Sequence, residues 1–252
     1  MSDVFLLSII QGVTEFLPVS SSSHTILISN LFNFNVYDLL LDVSLHIGSF
    51  LAITFYFRSE IINFSKNKRI FFLILLSSLP ILVLGFILSK FRTEDYLRTI
   101  EIIGWTTILF GILLFISDKF PQKKNINTNL KMFDVLIIGL MHSVALIPGV
   151  SRSGIAITAS RFLGYSRLES TKISFLLSIP TLLMVTAYGL YKISFENQFS
   201  LDNLNIQSII LSFLFSYLTI KYFLIFIKKF SLNIFVLYRL VIGSIIIFYV
   251  YF

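Results

Sequence analysis

The sequence predicts an all-α integral membrane protein built as an inverted repeat, with six transmembrane helices plus two re-entrant helical hairpins. Three observations predict it. The 252 residues are 56% hydrophobic and only 13% charged, roughly half the charged share of a soluble domain, and the charges fall in short clusters. The long apolar runs are of spanning length, whereas two pairs of apolar runs are too short to span. The order short pair, then three long runs, occurs twice.

The first short pair covers 4–17 and 20–32, each only about 13 or 14 residues against the roughly 20 that a crossing needs. A hairpin over 4–32 with its tip at Pro18–Ser23 follows, because proline lacks an amide hydrogen and disfavours helix at the residue before it. Three spans come next at 40–57, 70–89 and 101–117, then a polar loop, Asp118–Lys131. Residues 133–147 and 152–163 repeat the short pair around Pro148 and Gly149, predicting a second hairpin over 133–163. Spans at 171–191, 207–227 and 234–251 complete the chain. The whole, 1–252, reads as a single membrane domain with halves at 1–117 and 133–252. Leu17-Pro-Val-Ser-Ser-Ser22 lines up with Ile147-Pro-(Gly)-Val-Ser-Arg-Ser153. An odd number of spans per half makes the two hairpins enter from opposite faces, so that their tips meet near the midplane.

Composition excludes several classes. There is no cysteine, which removes disulfides, thiolate metal sites and cysteine nucleophiles. The net charge of +7 raises a nucleic-acid reading, but the basic residues lie in loops between spans, as the positive-inside rule requires; no nucleic-acid partner is expected. The loops at 58–69, 119–131, 161–172 and 228–229 hold most of the lysines and arginines, against Lys90, Arg92, Arg98 and Lys192 on the other face. The richer face is expected to be cytoplasmic, leaving both termini and the mouth of the first hairpin outside. The N-terminus has no basic n-region or small-residue cleavage site, so no removable signal peptide is expected. The 28 phenylalanines read as bulk facing membrane lipids.

The chemistry concentrates in Gln11-Gly-Val-Thr-Glu-Phe-Leu-Pro-Val-Ser-Ser-Ser-Ser-His24 and in Ile147-Pro-Gly-Val-Ser-Arg-Ser-Gly154. A carboxylate and an imidazole in an apolar chain are costly and mark function by default. Gln11 and Glu15 share a helix face at i, i+4 and offer oxygens to a divalent cation, Mg²⁺ or Ca²⁺; the plainer reading is a carboxylate bonded to the hairpin's own free amides. Ser20, Ser21, Ser22 and Ser23 open the second half-helix, where hydroxyls cap and free amides bind anions. A nucleophile needs an adjacent base, and His24 is three or four residues from Ser21 and Ser20. Arg152, between Ser151 and Ser153 and before Gly154, offers paired donors that match phosphate oxygens; its plainer reading is an ion pair with Glu15, and both readings can hold. Asp42 and His46, at i, i+4, read as a mutual hydrogen bond. Lys221 and Arg239, inside apolar runs, read as snorkelling side chains. His142 is either a satisfied buried histidine or a site residue.

The motifs Glu15-Phe-Leu-Pro-Val-Ser-Ser-Ser-x-His24, Asp42-Val-x-x-His-x-Gly48, Ala145-Leu-Ile-Pro-Gly-Val-Ser-Arg-Ser-Gly154, Phe175-Leu-Leu-Ser-Ile-Pro180 and Tyr238-Arg239 run in order through nearly the whole chain. In them the sequence resembles the undecaprenyl-diphosphatase family of the bacitracin-resistance type. The resemblance implies a membrane phosphatase that removes the terminal phosphate of a polyprenyl diphosphate lipid, undecaprenyl diphosphate, and so recycles the carrier for peptidoglycan synthesis. It also implies a divalent-cation requirement and an inverted-repeat fold with re-entrant helices; taken with the loop charges, it leads to the expectation of a place in the bacterial inner membrane with the active site open to the periplasm. Carried over by position, Gln11 and Glu15 fall on the (Glu/Gln)-x-x-x-Glu motif, Ser20, Ser21 and His24 on the catalytic Ser/His positions, and Ser151, Arg152 and Ser153 on the phosphate-binding motif. The sequence departs at Gln11, where many members have Glu, at Ser23 in place of Gly, at His142 where Gln is common, and at Ile155-Ala156 where Ala-Thr is usual.

The expected mechanism is phosphoryl transfer governed by positioning and charge neutralisation. Arg152 and a cation near Glu15 bind the diphosphate, Ser21 or Ser20 attacks phosphorus, and His24 moves the proton. Direct attack by a metal-activated water is the close variant. A transporter of polyprenyl phosphates is the rival from another class; it needs Arg152 but has little use for Ser21 beside His24. The sequence leaves a homodimer open.

Overall fold

A computed structural model describes residues 2–32, 39–62, 68–91, 99–195 and 202–252, and among them regular structure is helical apart from one isolated bridge between Lys124 and Tyr165. The helices are α1 (Ser2–Thr14), α2 (Ser21–Phe32), α3 (Leu39–Tyr56), α4 (Arg58–Ile62), α5 (Lys68–Phe91), α6 (Ile100–Asp118), α7 (Ile126–Asn129), α8 (Met132–Ser143), α9 (Arg152–Phe162), α10 (Arg167–Phe195), α11 (Asn203–Phe226) and α12 (Asn233–Tyr251). A 3₁₀ turn, Val144–Leu146, extends α8.

Six of these, α3, α5, α6, α10, α11 and α12, are long and apolar enough to cross a membrane, and they lie at the six positions the hydropathy predicts. They do so without being hidden: only 28% of the apolar window of α5 and 22% of that of α12 is buried. Phe72, Phe86, Trp105, Leu237 and Phe248 stand more than half exposed. Apolar helices with outward apolar faces need lipid as their solvent, so this is a multi-pass membrane protein. Two helices run beyond their hydrophobic stretch. α10 starts at Arg167 rather than near 171 because Arg167 and Glu169 find partners at its first turn, and it passes straight through Pro180. α5 likewise contains Pro80.

The shorter helices behave as their length dictates. α1 has 13 residues and α8 has 12, about 20 Å or less at 1.5 Å per residue, short of a roughly 30 Å hydrocarbon core. α1 packs on α2, and α8 on α9. Between α1 and α2 the chain turns over Glu15–Ser20, with Glu15 N–H still bonded to the Gln11 carbonyl at 3.0 Å before Pro18 ends the ladder. α9 opens on Ser151, whose hydroxyl accepts from Gly154 N–H at 3.1 Å, the N-cap expected of a serine. α11 opens on Asp202, which accepts from the amides of Leu204 and Asn205.

The packing partners pair off across the chain. α1 lies on α11 and α8 on α5; α3 lies on α11 and α10 on α5; α3 meets α10 and α6 meets α12. Exchanging the first half for the second converts the first of these contacts into the second and the third into the fourth, and leaves the last two unchanged. The two hairpin turns also share an unusual backbone: Ser20 and Ser151 both sit at positive φ, 75° and 72°, a region that costs a β-carbon residue energy and persists only where its surroundings hold it.

One end of the bundle is tied by a polar cluster. Asp118 takes both Arg167 Nε (2.6 Å) and Nη2 (2.9 Å) and the Leu232 amide (3.2 Å). Arg161 donates to the carbonyls of Asp118, Phe120 and Tyr165 and is completely buried. The sequence places Arg161 among the basic residues of the loops; folded, it satisfies the carbonyls left open where α6 ends. Nearby, the Tyr165 hydroxyl donates to Asp134 at 2.7 Å, and burial, then that hydrogen bond, push its phenol pKa up. Of the basic residues used to orient the chain, Lys66, Arg92 and Arg98 lie outside the described residues.

Candidate active site

The two turns predicted to meet do meet. Ser153 Oγ donates to the Leu17 carbonyl at 2.6 Å, and Arg152 Nη2 lies 2.8 Å from Glu15 Oε1. The ion pair that the sequence offers as the plainer reading of Arg152 is therefore present. Glu15 is the hub. Its Oε2 accepts from Ser21 Oγ at 2.6 Å and from Gln11 Nε2 at 3.0 Å, while Oε1 takes Arg152. Glu15 is only 6% exposed, and such a carboxylate is tolerable because its oxygens are matched by a cation and two neutral donors. Beside it lies a cavity of about 30 Å³ lined by Glu15, Ser20, Ser21, Ser22, Ser151 and Arg152, with Ala145, room for water but not for a diphosphate.

The expected serine–histidine pair is not formed. Ser21 donates to Glu15, and His24 faces elsewhere. Its Nδ1 is 2.6 Å from the Ser20 carbonyl, and its Nε2 is 2.5 Å from the Tyr238 hydroxyl, with the two rings stacked at 5.6 Å and 11°. The Ser20 hydroxyl is also taken up locally, at 2.9 Å from Ser23 Oγ and 3.5 Å from Ser22 Oγ. Among the serines, Ser21 thus has a carboxylate able to accept its proton within reach, that of Glu15. The Ser20 carbonyl that holds the imidazole is the first one of α2 and also takes the His24 amide at 3.4 Å, so the side chain folds back onto its own helix start.

Arg239 is the residue that sequence reasoning misjudged. It does not snorkel; it is 1% exposed. Its guanidinium donates to Pro18 O (3.1 Å) in the first turn, to Gly149 O (2.8 Å) and Val150 O (3.2 Å) in the second, and to Thr107 O (3.2 Å) of α6. Turns that leave helical geometry inside an apolar bundle strand carbonyl groups that no water can reach. Arg239 supplies the donors and adds a buried positive charge behind the site. Lys221, by contrast, is exposed, as a snorkelling lysine should be. The signal for Arg239 was its neighbour in the Tyr-Arg pair of the last apolar run.

The remaining polar residues extend the hub. Gln11 Nε2 also lies 3.0 Å from His46 Nδ1, so one amide bridges α1 to α3. His46 and Asp42, expected to share a hydrogen bond, are 4.0 Å apart between Nε2 and Oδ1, ion-pair range rather than a hydrogen bond. His142 is buried, with Nδ1 lacking a hydrogen-bond partner among the described residues. Ser151 and Ser153 hydroxyls lie 3.1 Å apart. Gly149, at φ 89°, cannot carry a side chain, because a Cβ there would sit 2.0 Å from Thr106 Oγ1; that hydroxyl donates to the Pro148 carbonyl at 2.6 Å.

As a cation site the cluster is oxygen-rich but sparse. No group of three or more His, Cys, Asp or Glu residues is found among the described residues. One carboxylate, one amide and serine hydroxyls are hard donors of the kind Mg²⁺ or Ca²⁺ prefers. Such a set fits a cation shared with a phosphate ligand, not a closed protein cage.

These features define a class: a multi-pass membrane protein whose two interrupted helix pairs enclose a cationic, hydroxyl-lined centre. The chain belongs to the family described as bacitracin resistance protein BacA, which it matches over residues 4–245. It is 46% identical over 250 residues to the undecaprenyl-diphosphatase of Pelagibacter ubique (strain HTCC1062), covering 99% of this chain and 97% of that one. It is 36% identical to the undecaprenyl-diphosphatase of Saccharophagus degradans, over 94% of each chain. A third relative of the same name, from Aliivibrio salmonicida, is 35% identical over 96% of this chain and 95% of its own.

Proposed function

We infer that this protein is an undecaprenyl-diphosphate phosphatase, hydrolysing undecaprenyl diphosphate to undecaprenyl phosphate and inorganic phosphate. The reaction recycles the lipid carrier for peptidoglycan synthesis and confers bacitracin resistance. The observation that carries the mechanism is the Ser21–Glu15–Arg152 arrangement, with donor distances of 2.6 and 2.8 Å.

In the proposed reaction Arg152 leaves its ion pair to bind the terminal phosphate bidentately. This frees the Glu15 carboxylate to take the Ser21 proton through the hydrogen bond already made. Ser21 Oγ then attacks phosphorus, the bridging P–O bond breaks, and undecaprenyl phosphate departs with the electron pair. Water hydrolyses the phosphoserine, restoring Ser21 and releasing phosphate. His24 moves protons for this second step, and Ser22 and Ser151, which line the cavity, hold phosphate oxygens; the Ser153 hydroxyl and the Gly154 amide would join them on giving up Leu17 O and Ser151 Oγ. A divalent cation, Mg²⁺ or Ca²⁺, held by Glu15 and Gln11, would neutralise diphosphate charge.

The cavity of about 30 Å³ requires the Glu15–Arg152 pair to open on binding. The polyprenyl tail would lie outside, where Val13, Leu17, Phe226 and Phe235 line an apolar groove of about 220 Å³ beside the first turn. We place the protein in the bacterial inner membrane with its basic loops in the cytoplasm and the site open to the periplasm. The two short pairs act as re-entrant hairpins of an inverted repeat, a reading supported by the exchangeable packing pairs and by the matching φ of Ser20 and Ser151.

The experiment is phosphate release from undecaprenyl diphosphate by purified protein in detergent, with and without chelator, beside Glu15→Ala and Arg152→Ala. Cation-dependent release lost in both variants supports the reading. Lipid binding without release by folded protein would overturn it in favour of transport.

A further inference from the structure

We propose that Tyr238 is a positioning residue of the reaction, its hydroxyl holding His24 in the one tautomer and orientation that leave Nε2 as the basic nitrogen. The Ser20 carbonyl can only accept, so the nitrogen 2.6 Å from it, Nδ1, carries hydrogen. In the neutral imidazole Nε2 then has the lone pair, and the Tyr238 hydroxyl 2.5 Å away donates to it. When the ring is protonated both nitrogens donate, and the same hydroxyl turns to accept. Both ring nitrogens being occupied, a proton reaches Nε2 through Tyr238, whose hydroxyl gives its hydrogen to Nε2 as it takes one from water, and the reverse transfer returns it; Tyr238 thereby matches both charge states of His24.

The two rings are nearly parallel, inclined by 11° with centroids 5.6 Å apart, so the tyrosine hydroxyl meets Nε2 close to the imidazole plane, where its lone pair lies. The next residue fixes the tyrosine: Arg239 is locked into both turns through Pro18, Gly149 and Val150 carbonyls. One turn of α12 thus sets the turns and the histidine together. The groups that face His24 are Ser20 on its own element, and Tyr238 with the charge of Arg239 from α12.

The kinetic part of this inference rests on the phosphatase reading; the spectroscopic part does not. The test is Tyr238→Phe, which keeps the stacked ring and removes only the hydroxyl. With three histidines in the chain, ¹⁵N-histidine spectra in detergent, assigned with His46→Gln and His142→Gln, resolve His24. Wild type is expected to show hydrogen on Nδ1 and a hydrogen-bonded Nε2. In Tyr238→Phe the Nε2 signal should move to that of an unbonded acceptor and the His24 titration midpoint should shift. kcat should fall roughly tenfold with KM little changed, less than the roughly 10² to 10⁴ that a whole acid/base contributes, and its pH limb should move with the His24 midpoint. A His24 spectrum and midpoint unchanged in Tyr238→Phe would overturn the inference. A shifted spectrum in a protein that never releases phosphate would uphold the positioning of His24 and sink the phosphatase reading instead.

Discussion

Arg152 and Glu15, one from each short helix pair, meet at 2.8 Å between side chains 21% and 3% exposed respectively. The pair is nearly dry on one side and reachable on the other, so an anion can approach the guanidinium while the carboxylate stays shielded. That asymmetry makes the arginine, and not the glutamate, the side chain positioned to change partners.

Arg152→Lys is accordingly not a conservative change. A lysine keeps the charge but loses the planar pair of donors. Phosphate-release assays should show kcat/KM lowered by roughly 10² to 10³, the usual effect of removing one pre-positioned donor from a transition state. Retention of near wild-type rates in Arg152→Lys would mean that only charge is required.

Ser21→Ala should abolish turnover, by roughly 10³ or more if the hydroxyl is the nucleophile, and acid quenching during turnover of wild type should capture phosphoserine at position 21. Ser22→Ala, whose hydroxyl makes only a 3.5 Å contact with Ser20, should act mainly on KM. If Ser21→Ala keeps substantial activity, water attacks directly.

Removing Arg239 should damage the fold before the chemistry. Arg239→Ala strands four carbonyl contacts made by one side chain, at about 1–3 kcal/mol for each group left buried and unsatisfied. Thermal unfolding in detergent should begin many degrees lower. An unchanged melting profile would mean that water replaces the guanidinium.

A glycine comparison isolates the second turn. Gly149→Ala meets Thr106 Oγ1 at 2.0 Å and adds a side chain at φ 89°, whereas Gly85→Ala meets only Leu146 Cδ2 at 3.4 Å. The first should lose most activity by shifting the carbonyls that hold Arg239; the second should be close to wild type. Equal behaviour of the two would remove backbone geometry at Gly149 as a determinant.

Excess chelator should suppress release at least tenfold, with recovery on adding Mg²⁺ or Ca²⁺. Gln11→Glu, restoring a second carboxylate, should lower the cation concentration needed for half-maximal activity. Activity indifferent to chelator would remove the cation from the proposed reaction.

The helices were legible because lipid imposes one rule on every long apolar run, and the chain carries that rule in its hydropathy. The meeting of the two turns was legible from Pro18 and Pro148 and from the serines beside them. What was not legible was the pairing inside the site. Ser21 and His24 have the spacing of a nucleophile and its base, but Ser21 finds Glu15 across the turn, while the imidazole folds back onto the Ser20 carbonyl and meets Tyr238 from the far end of the chain. Arg239 was misread because snorkelling is the default for a charge near the end of a span. Only the folded turns reveal how many carbonyls needed a donor there. Arg161 counted in the sequence only as a loop charge, since the open carbonyls at the end of α6 that bury it are invisible before folding.

Arg239 also has a consequence for how the protein is made. The ribosome delivers α12 after every other described element, so both turns and all the serines are already synthesised while the guanidinium that joins them is not. A nascent chain arrested before residue 239 holds Glu15, Ser21 and Arg152 without the side chain that donates to both of their turns. What joins the turns first is therefore their own pair of contacts, Ser153 to Leu17 and Arg152 to Glu15, and the guanidinium that arrives later consolidates a junction already made.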